Sequence, residues 1–404
     1  MRILIATSHR AVVGGVETYL RAALPLLRGR GHEVGLLCAN PAPADAPVID
    51  AACPGLVVQF APDPGRAVAV AAGWRPDVVF THELPDPAAD AALAERFPTV
   101  YFAHNYAGAC VSGTKCHAAP APQPCARALG PMCLALYGPR RCGGLNPLTA
   151  VRLYRTNRRR QATFPRYRAV LVASEHMARE VVRNGAPTER VHLVPLFPTG
   201  TSPDARPPVP KPRTGRVLFV GRITRLKGWN ELLAAVPAAS AQLGRPLTLV
   251  VAGDGPDRAA FEAGARARGV PAEFLGWVGP ERREAEMRAA DVLAAPSIWP
   301  EPFGLVGIEA GCVGLPAVAF ATGGIPDWLR AGVSGELAPS SPNSEALAAA
   351  LVRALSDEGH WQRLRIGAWE AAKRFTPEAH QEKLVTILEA AAQRVALERL
   401  RPEP

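Results

Sequence analysis

What most constrains this chain is an alternation that runs, breaks and starts again. Apolar runs of strand length alternate with helical patterns. "RILIAT" precedes the helical "VETYLRAALPLLRGRG", "EVGLLCA" follows, and later come "DVVFTH", "TVYFAH" and "AVLVAS". The stretch "TSPDARPPVPKPRTG" (Thr201–Gly215) then interrupts with five prolines. Proline fixes φ and removes a donor, so this segment reads as a stiff linker rather than a strand or helix. Beyond it stand "RVLFVGR", a helix expected from Asn230 to about Leu243, then "LTLVVAGDGP", "EFLGWV", "DVLAAPS" and "PAVAFATGG". Strands alternating with helices imply parallel sheets with crossover helices, the α/β class. The expected domains are therefore 1–200 and 216–376, each the size of one doubly wound unit, joined by linker 201–215. A last helix, 377–404, is expected to begin at Pro377.

The length of 404 residues exceeds one ordinary core, and 48% hydrophobic with 20% charged residues fits a globular protein. "MRILIATSHR" reads as a strand and not as a signal peptide, and no apolar run reaches bilayer length. A cytoplasmic location is expected. The net charge of +10 is concentrated in "VRLYRTNRRRQATFPRYR" (Val151–Arg168), with seven arginines and no acid. Two readings compete: a solvated helix face, or attraction to an anionic membrane or an anionic acceptor. Zinc-finger spacing, ribonucleoprotein aromatics and basic heptads are absent, so nucleic acid is not an expected partner.

Ligands of doubly wound sheets bind off the carboxyl ends of strands. After "RVLFV" come Gly221, Arg222, Lys227 and Gly228. A glycine lets backbone approach a ligand, while an arginine fork and a lysine point charge suit a diphosphate. After "LTLVV" comes the turn Ala252–Pro256, which holds Gly253 and is not the dinucleotide fingerprint, because Arg258 stands at the third glycine position. Gly14 and Gly15 lie between the first strand and helix, where backbone amides favour an anion. After "DVLAAPS", two prolines flank Glu301, and a helix expected to start near Gly304 contains Glu309. Charged glutamates are rarely buried unless paired. Both acids beside a glycine-rich turn suggest carboxylates that accept from ligand hydroxyls. Gly311 and Gly314 are expected to let this helix and the following strand pack closely.

At these residues the chain resembles the retaining glycosyltransferases of family 4, whose GT-B fold has two facing Rossmann-like domains with the cleft between them. The pattern E-P-F-G-L-x-x-x-E-A stands as Glu301 to Ala310, and G-R-x-x-x-x-K-G as Gly221 to Gly228. "GDGP", Ser174-Glu175 and "GGVE" also match. The resemblance implies that Arg222 and Lys227 neutralise a nucleotide diphosphate as it leaves, and that Glu309 binds the ribose hydroxyls. It places Glu301 on the donor sugar and the amides of Phe303, Gly304 and Leu305 near sugar and phosphate. Gly15 would approach the diphosphate, and His104 would lie near the donor sugar. Gly221 and Gly253 belong to the same donor site. The donor would be a UDP- or GDP-sugar, and the acceptor a glycan or lipid-linked hydroxyl in cell-surface or exopolysaccharide synthesis. Neither cofactor nor metal is required, and no Asp-x-Asp follows a strand. The C-terminal helix is expected to cross back to the N-terminal domain, and the protein to work at the inner face of the plasma membrane.

A departure from the family is the cysteine cluster Cys110, Cys116, Cys125, Cys133 and Cys142, in a Pro- and Gly-rich insertion at about 106–145. Its spacings are not those of two-residue zinc knuckles. Plain reduced thiols are the expectation, with a structural metal held by these five cysteines as the alternative. Two other functions fit the scaffold: a sugar-nucleotide epimerase of related fold, and a non-catalytic partner protein. The Glu301/Glu309 pair beside Arg222 and Lys227 argues against the first, and intact Glu301, Arg222, Lys227 and His104 argue against the second.

Overall fold

The computed structural model describes residues 1–43, 45–52 and 64–399, so the expected helix 377–404 is described only to Arg399. The chain divides into two compact units. The first comprises Met1–Thr114, Arg127–Pro195 and Pro377–Pro404, and the second Lys115–Ala126 and Leu196–Thr376.

The first unit is built on a parallel six-stranded sheet. Its strands are β1 (Arg2–His9), β2 (Glu33–Asn40), β3 (Val78–Thr81) and β4 (Thr99–Ala103). A short antiparallel pair, β5 (Cys116–His117) and β6 (Gln123–Pro124), follows in sequence and groups with the second unit. The first sheet is completed by β7 (Ala169–Val172) and β8 (Val191–Leu193), in the order β2-β1-β3-β4-β7-β8. The second unit carries β9 (Arg216–Val220), β10 (Thr248–Ala252), β11 (Ala272–Gly276), β12 (Val292–Ala295), β13 (Ala317–Phe320) and β14 (Gly335–Ala338). They run parallel in the order β11-β10-β9-β12-β13-β14. Sheets covered on both faces need strands apolar on both faces, which is why "VVFT", "AVLV" and "AVAF" read as continuous runs. In each unit the strand order reverses beside the first strand, at β1/β3 and β9/β12, which creates a crevice at the carboxyl ends.

The Pro-rich segment, expected as a stiff linker, is strapped along the second unit. Prolines leave carbonyls with no neighbouring amide partners, and side chains supply the donors. Trp369 Nε1 donates to the Asp204 carbonyl (2.7 Å), Arg365 to that of Val209 (2.7 Å) and Gln362 to that of Lys211 (3.0 Å). The Asp204 carboxylate accepts both nitrogens of the Arg288 fork at 2.7 and 2.8 Å. Gly311 and Gly314 also serve other neighbours than the expected strand. A side chain at Gly311 would meet the Ala368 carbonyl at 2.8 Å, and one at Gly314 would meet Pro208 at 2.6 Å.

The basic segment forms the helix Pro147–Thr163, capped by the Asn146 side chain. Its arginines 152, 155, 158 and 159 are exposed, while Arg160 is buried with Ala150, Asn157 and Thr163 and is paired with Asp90 at 3.1 Å. The stretch has no acid of its own, so Arg160 draws on Asp90 of the helix Pro87–Arg96 and on Glu83, 3.6 Å away, just before it. Cys116 and Cys125 group with the second unit, and Cys110, Cys133 and Cys142 with the first. Cys116 Sγ donates to the carbonyls of His117 and Gln123 at 3.3 and 3.2 Å, and Cys133 and Cys142 reach local carbonyls at 3.8 Å. Among the described residues no group of three or more His, Cys, Asp or Glu is placed to hold a metal ion.

Candidate functional site

In the second unit, the crevice between β9 and β12 is shaped by two loops locked to each other. The first carries Arg222 and Lys227 and ends in a one-turn 3-10 helix, Arg225–Lys227. Gly228 follows with φ +72°, and a Cβ there would stand 1.8 Å from the Pro296 carbonyl. The second loop is held from below, because Ile298 N and Trp299 N both donate to the Leu226 carbonyl at 2.9 and 3.0 Å. Only glycine allows this approach, and it brings Lys227 to Glu301. The turn after β10 is equally close: Gly253, at φ +151°, would place a Cβ 1.9 Å from the Gly221 carbonyl.

Lys227 Nζ donates to Glu301 Oε1 at 2.5 Å, and Ser297 Oγ donates to the same oxygen at 2.5 Å. Lys227 also lies 5.4 Å from the Trp299 ring centroid. Glu301 is buried and paired, as a buried carboxylate must be. Arg222 is exposed and makes no hydrogen bond or ion pair among the described residues, so the structure does not bring it to Glu301. A cavity of about 20 Å³ beside the pair is lined by Val220, Lys227, Ser297, Glu301, Gly304 and Trp328.

Phe303 is buried, and its carbonyl accepts from Trp328 Nε1 at 2.7 Å. Gly304 caps the helix Leu305–Cys312, so amides at its N-terminus face the crevice side with partial positive charge. Glu309 lies one turn further in and is buried. Its partner is Arg283, on the helix Pro280–Ala289, with Nη2 3.4 Å from Oε1. Burial raises the Glu309 pKa above the ordinary carboxylate value, and the Arg283 guanidinium opposes that rise. The two glutamates thus have separate partners.

The first unit, taken by itself, has a polar cluster at its strand ends. Gly15 opens the helix Gly15–Gly29 directly after Gly14. His104 follows β4, and its Nε2 lies 2.8 Å from His82 Nδ1, with the rings stacked at 5.1 Å. Burial, and then the nearby His380, lowers the His104 pKa to about 3, so its imidazole is neutral at physiological pH. His380 Nδ1 is 2.8 Å from the Pro195 carbonyl and donates to it. Its Nε2 therefore accepts from Tyr19 OH at 2.9 Å. Sequence reasoning missed His82, Tyr19, His380, Ser297 and Arg283. His82 had a signal, since "DVVFTH" ends in histidine at a strand end as "TVYFAH" does. The others become visible only through tertiary contacts.

Comparison with known proteins points to one class of enzyme. Residues 13–197 match the family model described as Glycosyltransferase Family 4, and residues 203–379 the one described as Glycosyl transferases group 1. A D-inositol 3-phosphate glycosyltransferase of Xylanimonas cellulosilytica is 29% identical, with 90% of this chain and 88% of that protein covered. A phosphatidyl-myo-inositol mannosyltransferase of Mycobacterium leprae is 32% identical over 48% of this chain and 53% of that protein. Among solved structures, the Anabaena protein HepE in complex with UDP superposes with a TM-score of 0.68 at 18% identity, covering 96% of this chain and all of that one. That likeness carries the fold: two parallel-sheet, Rossmann-like domains of the GT-B type.

Proposed function

We propose that this chain, whose residues 13–197 match family 4 and residues 203–379 match group 1, is a glycosyltransferase that moves a sugar from a nucleotide diphosphate to a hydroxyl acceptor with retention at the anomeric carbon. The observation that carries this reading is the Lys227–Glu301–Ser297 cluster at the β9/β12 switch point, with Glu309 one turn into the adjoining helix. When the sugar–phosphate bond breaks, negative charge grows on the diphosphate and positive charge on the sugar. A fixed lysine stabilises the first without reorganisation, and Arg222, exposed on the same loop, adds a second cation. Glu301, oriented by Lys227 and Ser297, accepts from donor-sugar hydroxyls. Glu309 accepts from the ribose diol, and the amides of Phe303, Gly304 and Leu305 serve sugar and phosphate. The roles of Gly15 at the diphosphate and of neutral His104 at the sugar rest on the resemblance.

The acceptor oxygen bonds to the anomeric carbon on the face the diphosphate leaves, and a leaving phosphate oxygen takes the acceptor proton. Neither glutamate is needed as a nucleophile, unlike the flanking pair of ordinary glycosidases. A UDP- or GDP-sugar donor is proposed, since the fold neighbour holds UDP, and a hydroxyl acceptor, since the named relatives act on inositol compounds. We place the reaction in surface glycan or glycolipid synthesis at the inner face of the plasma membrane. The exposed arginines 152, 155, 158 and 159 on one helix, near exposed Leu145 and Leu148, support contact with anionic lipid. No helix among the described residues is long and apolar enough to cross a membrane.

The test is nucleotide release from UDP- and GDP-sugars with and without added acceptors. Lys227→Ala is expected to lower kcat by about 10²–10³-fold, the usual effect of removing one preorganised charge-stabilising group, with circular dichroism unchanged. Arg222→Ala is expected to act in the same direction. Full activity in both variants would overturn the assignment.

A further inference from the structure

Glu309 poses a chemical problem that the proposed ribose role does not solve by itself. To accept from two ribose hydroxyls it must be ionised, yet it is buried, and its pKa is raised by that burial. The helix Pro280–Ala289 offers three arginines near it. Arg282 is paired to Glu286 at 2.6 Å, and Arg288 to Asp204 and Glu284, both at 2.7 Å. Arg283 alone of the three turns to Glu309, at 3.4 Å, and among the described residues it has no other ion-pair partner. Its side chain is 26% exposed, so it reaches Glu309 from the solvent side. The other ionisable group beside Glu309 is the Cys312 thiol, pushed up to about 12 by burial and therefore neutral.

We propose that Arg283 is the positioning residue of the nucleoside site: it holds Glu309 as an oriented carboxylate that reads the ribose 2′,3′-diol. The inference rests on the ribose role proposed for Glu309. A carboxylate offers about four lone-pair sites. The guanidinium nitrogen, 3.4 Å from Oε1, acts as an ion-pair partner rather than a hydrogen-bond donor, so both oxygens keep sites for two hydroxyl donors. The reading discriminates by chemistry. A nucleotide with a ribose diol gains from this carboxylate, and a 2′-deoxy nucleotide leaves one acceptor site unmatched.

The experiment measures calorimetric affinity for UDP against 2′-deoxy-UDP, and for GDP against 2′-deoxy-GDP, over pH 5.5–8.5. The wild-type protein is expected to prefer the ribonucleotide about tenfold or more, in line with sites built to pair a substrate hydroxyl, with a nearly flat pH response. In Arg283→Met, which keeps length and loses charge, ribonucleotide affinity is expected to fall about tenfold near pH 7 while deoxynucleotide affinity, with only its 3′-hydroxyl on Glu309, falls less. With the guanidinium gone the Glu309 pKa rises further, so ribonucleotide affinity should recover as pH increases. Arg283→Lys should restore most of the preference. Equal loss for ribo- and deoxynucleotide would mark a merely structural contact and overturn the proposal, as would an unchanged preference in Arg283→Met. Glu309→Gln separates the underlying reading: if it keeps the ribonucleotide preference, or the wild type has none, the ribose role itself has failed. If no nucleotide binds the wild type, the donor assignment has failed.

Discussion

Glu301 and Glu309 stand eight positions apart in sequence, and their surroundings divide their work. Glu301 shares one oxygen between an ammonium and a hydroxyl, both at 2.5 Å, which fixes its rotamer and leaves Oε2 for a ligand. Glu301→Gln keeps the shape and removes the charge. We expect it to lower turnover about 10²-fold or more while costing about 1–2 kcal/mol of stability, since Lys227 remains partly exposed and water screens the lost pair. Steady-state kinetics and thermal melts check both, and unchanged turnover would remove Glu301 from the reaction. Both acids were legible from their glycine and proline neighbours, because a buried charge in such a turn needs a reason. Their partners were not. Ser297 lies four residues before Glu301, but its role depends on the path of the loop. Arg283 lies on another helix, and nothing in "PERREAEMRA" distinguishes it from the arginines on either side of it.

At the scale of elements, the helix Leu305–Cys312 was placed correctly from its glycine start, but its packing was not foreseen. Its glycines make room for more distant chain. A methyl group at Gly307 would stand 1.9 Å from the Trp328 ring, and one at Gly311 would press on the Ala368 carbonyl. Trp328 in turn donates to the Phe303 carbonyl, so the helix, the indole and the candidate donor loop move together. Gly307→Ala is therefore expected to overpack this junction and cost about 1–3 kcal/mol, with a shift in Trp fluorescence and weaker nucleotide binding. A variant as stable as wild type, with unaltered binding, would show that the indole moves aside without consequence. The Pro-rich stretch teaches the complementary lesson. Proline density predicts an extended chain that forms no sheet, but it does not reveal that Trp369, Arg365 and Gln362, more than 150 residues away in sequence, donate to its carbonyls.

At the scale of the whole molecule, alternation and the proline break anticipated two parallel-sheet units, because strand periodicity and helix periodicity are local properties. They could not reveal that Lys115–Ala126 leaves the first unit to group with the second, which is a matter of non-local contact. The units also differ in how they should respond to acid. In the first, His82, His104 and His380 are buried neutral, each with its pKa lowered chiefly by burial, to about 3 for His104 and about 4 for His380. A histidine depressed in the folded state binds its proton more readily when unfolded. Its stabilising effect is complete above the unfolded value near 6.5 and is lost as pH falls toward the folded value. Asp90, raised to about 6 by burial, works the other way, since the folded state takes up its proton first; it is one group against three. In the second unit the buried Glu309 is likewise raised and protects against acid, and the Asp204 carboxyl, lowered by its Arg288 hydrogen bonds, loses its contribution only below its ordinary value. Hydrogen exchange followed by mass spectrometry from pH 7 to 4, corrected for the intrinsic rate, should therefore show protection lost first in β1, β3 and β4 and in the helix that begins at Pro377. Strands β9, β10 and β12 should hold longer. Earlier loss in the second unit would mean that the buried histidines are already relieved by other partners.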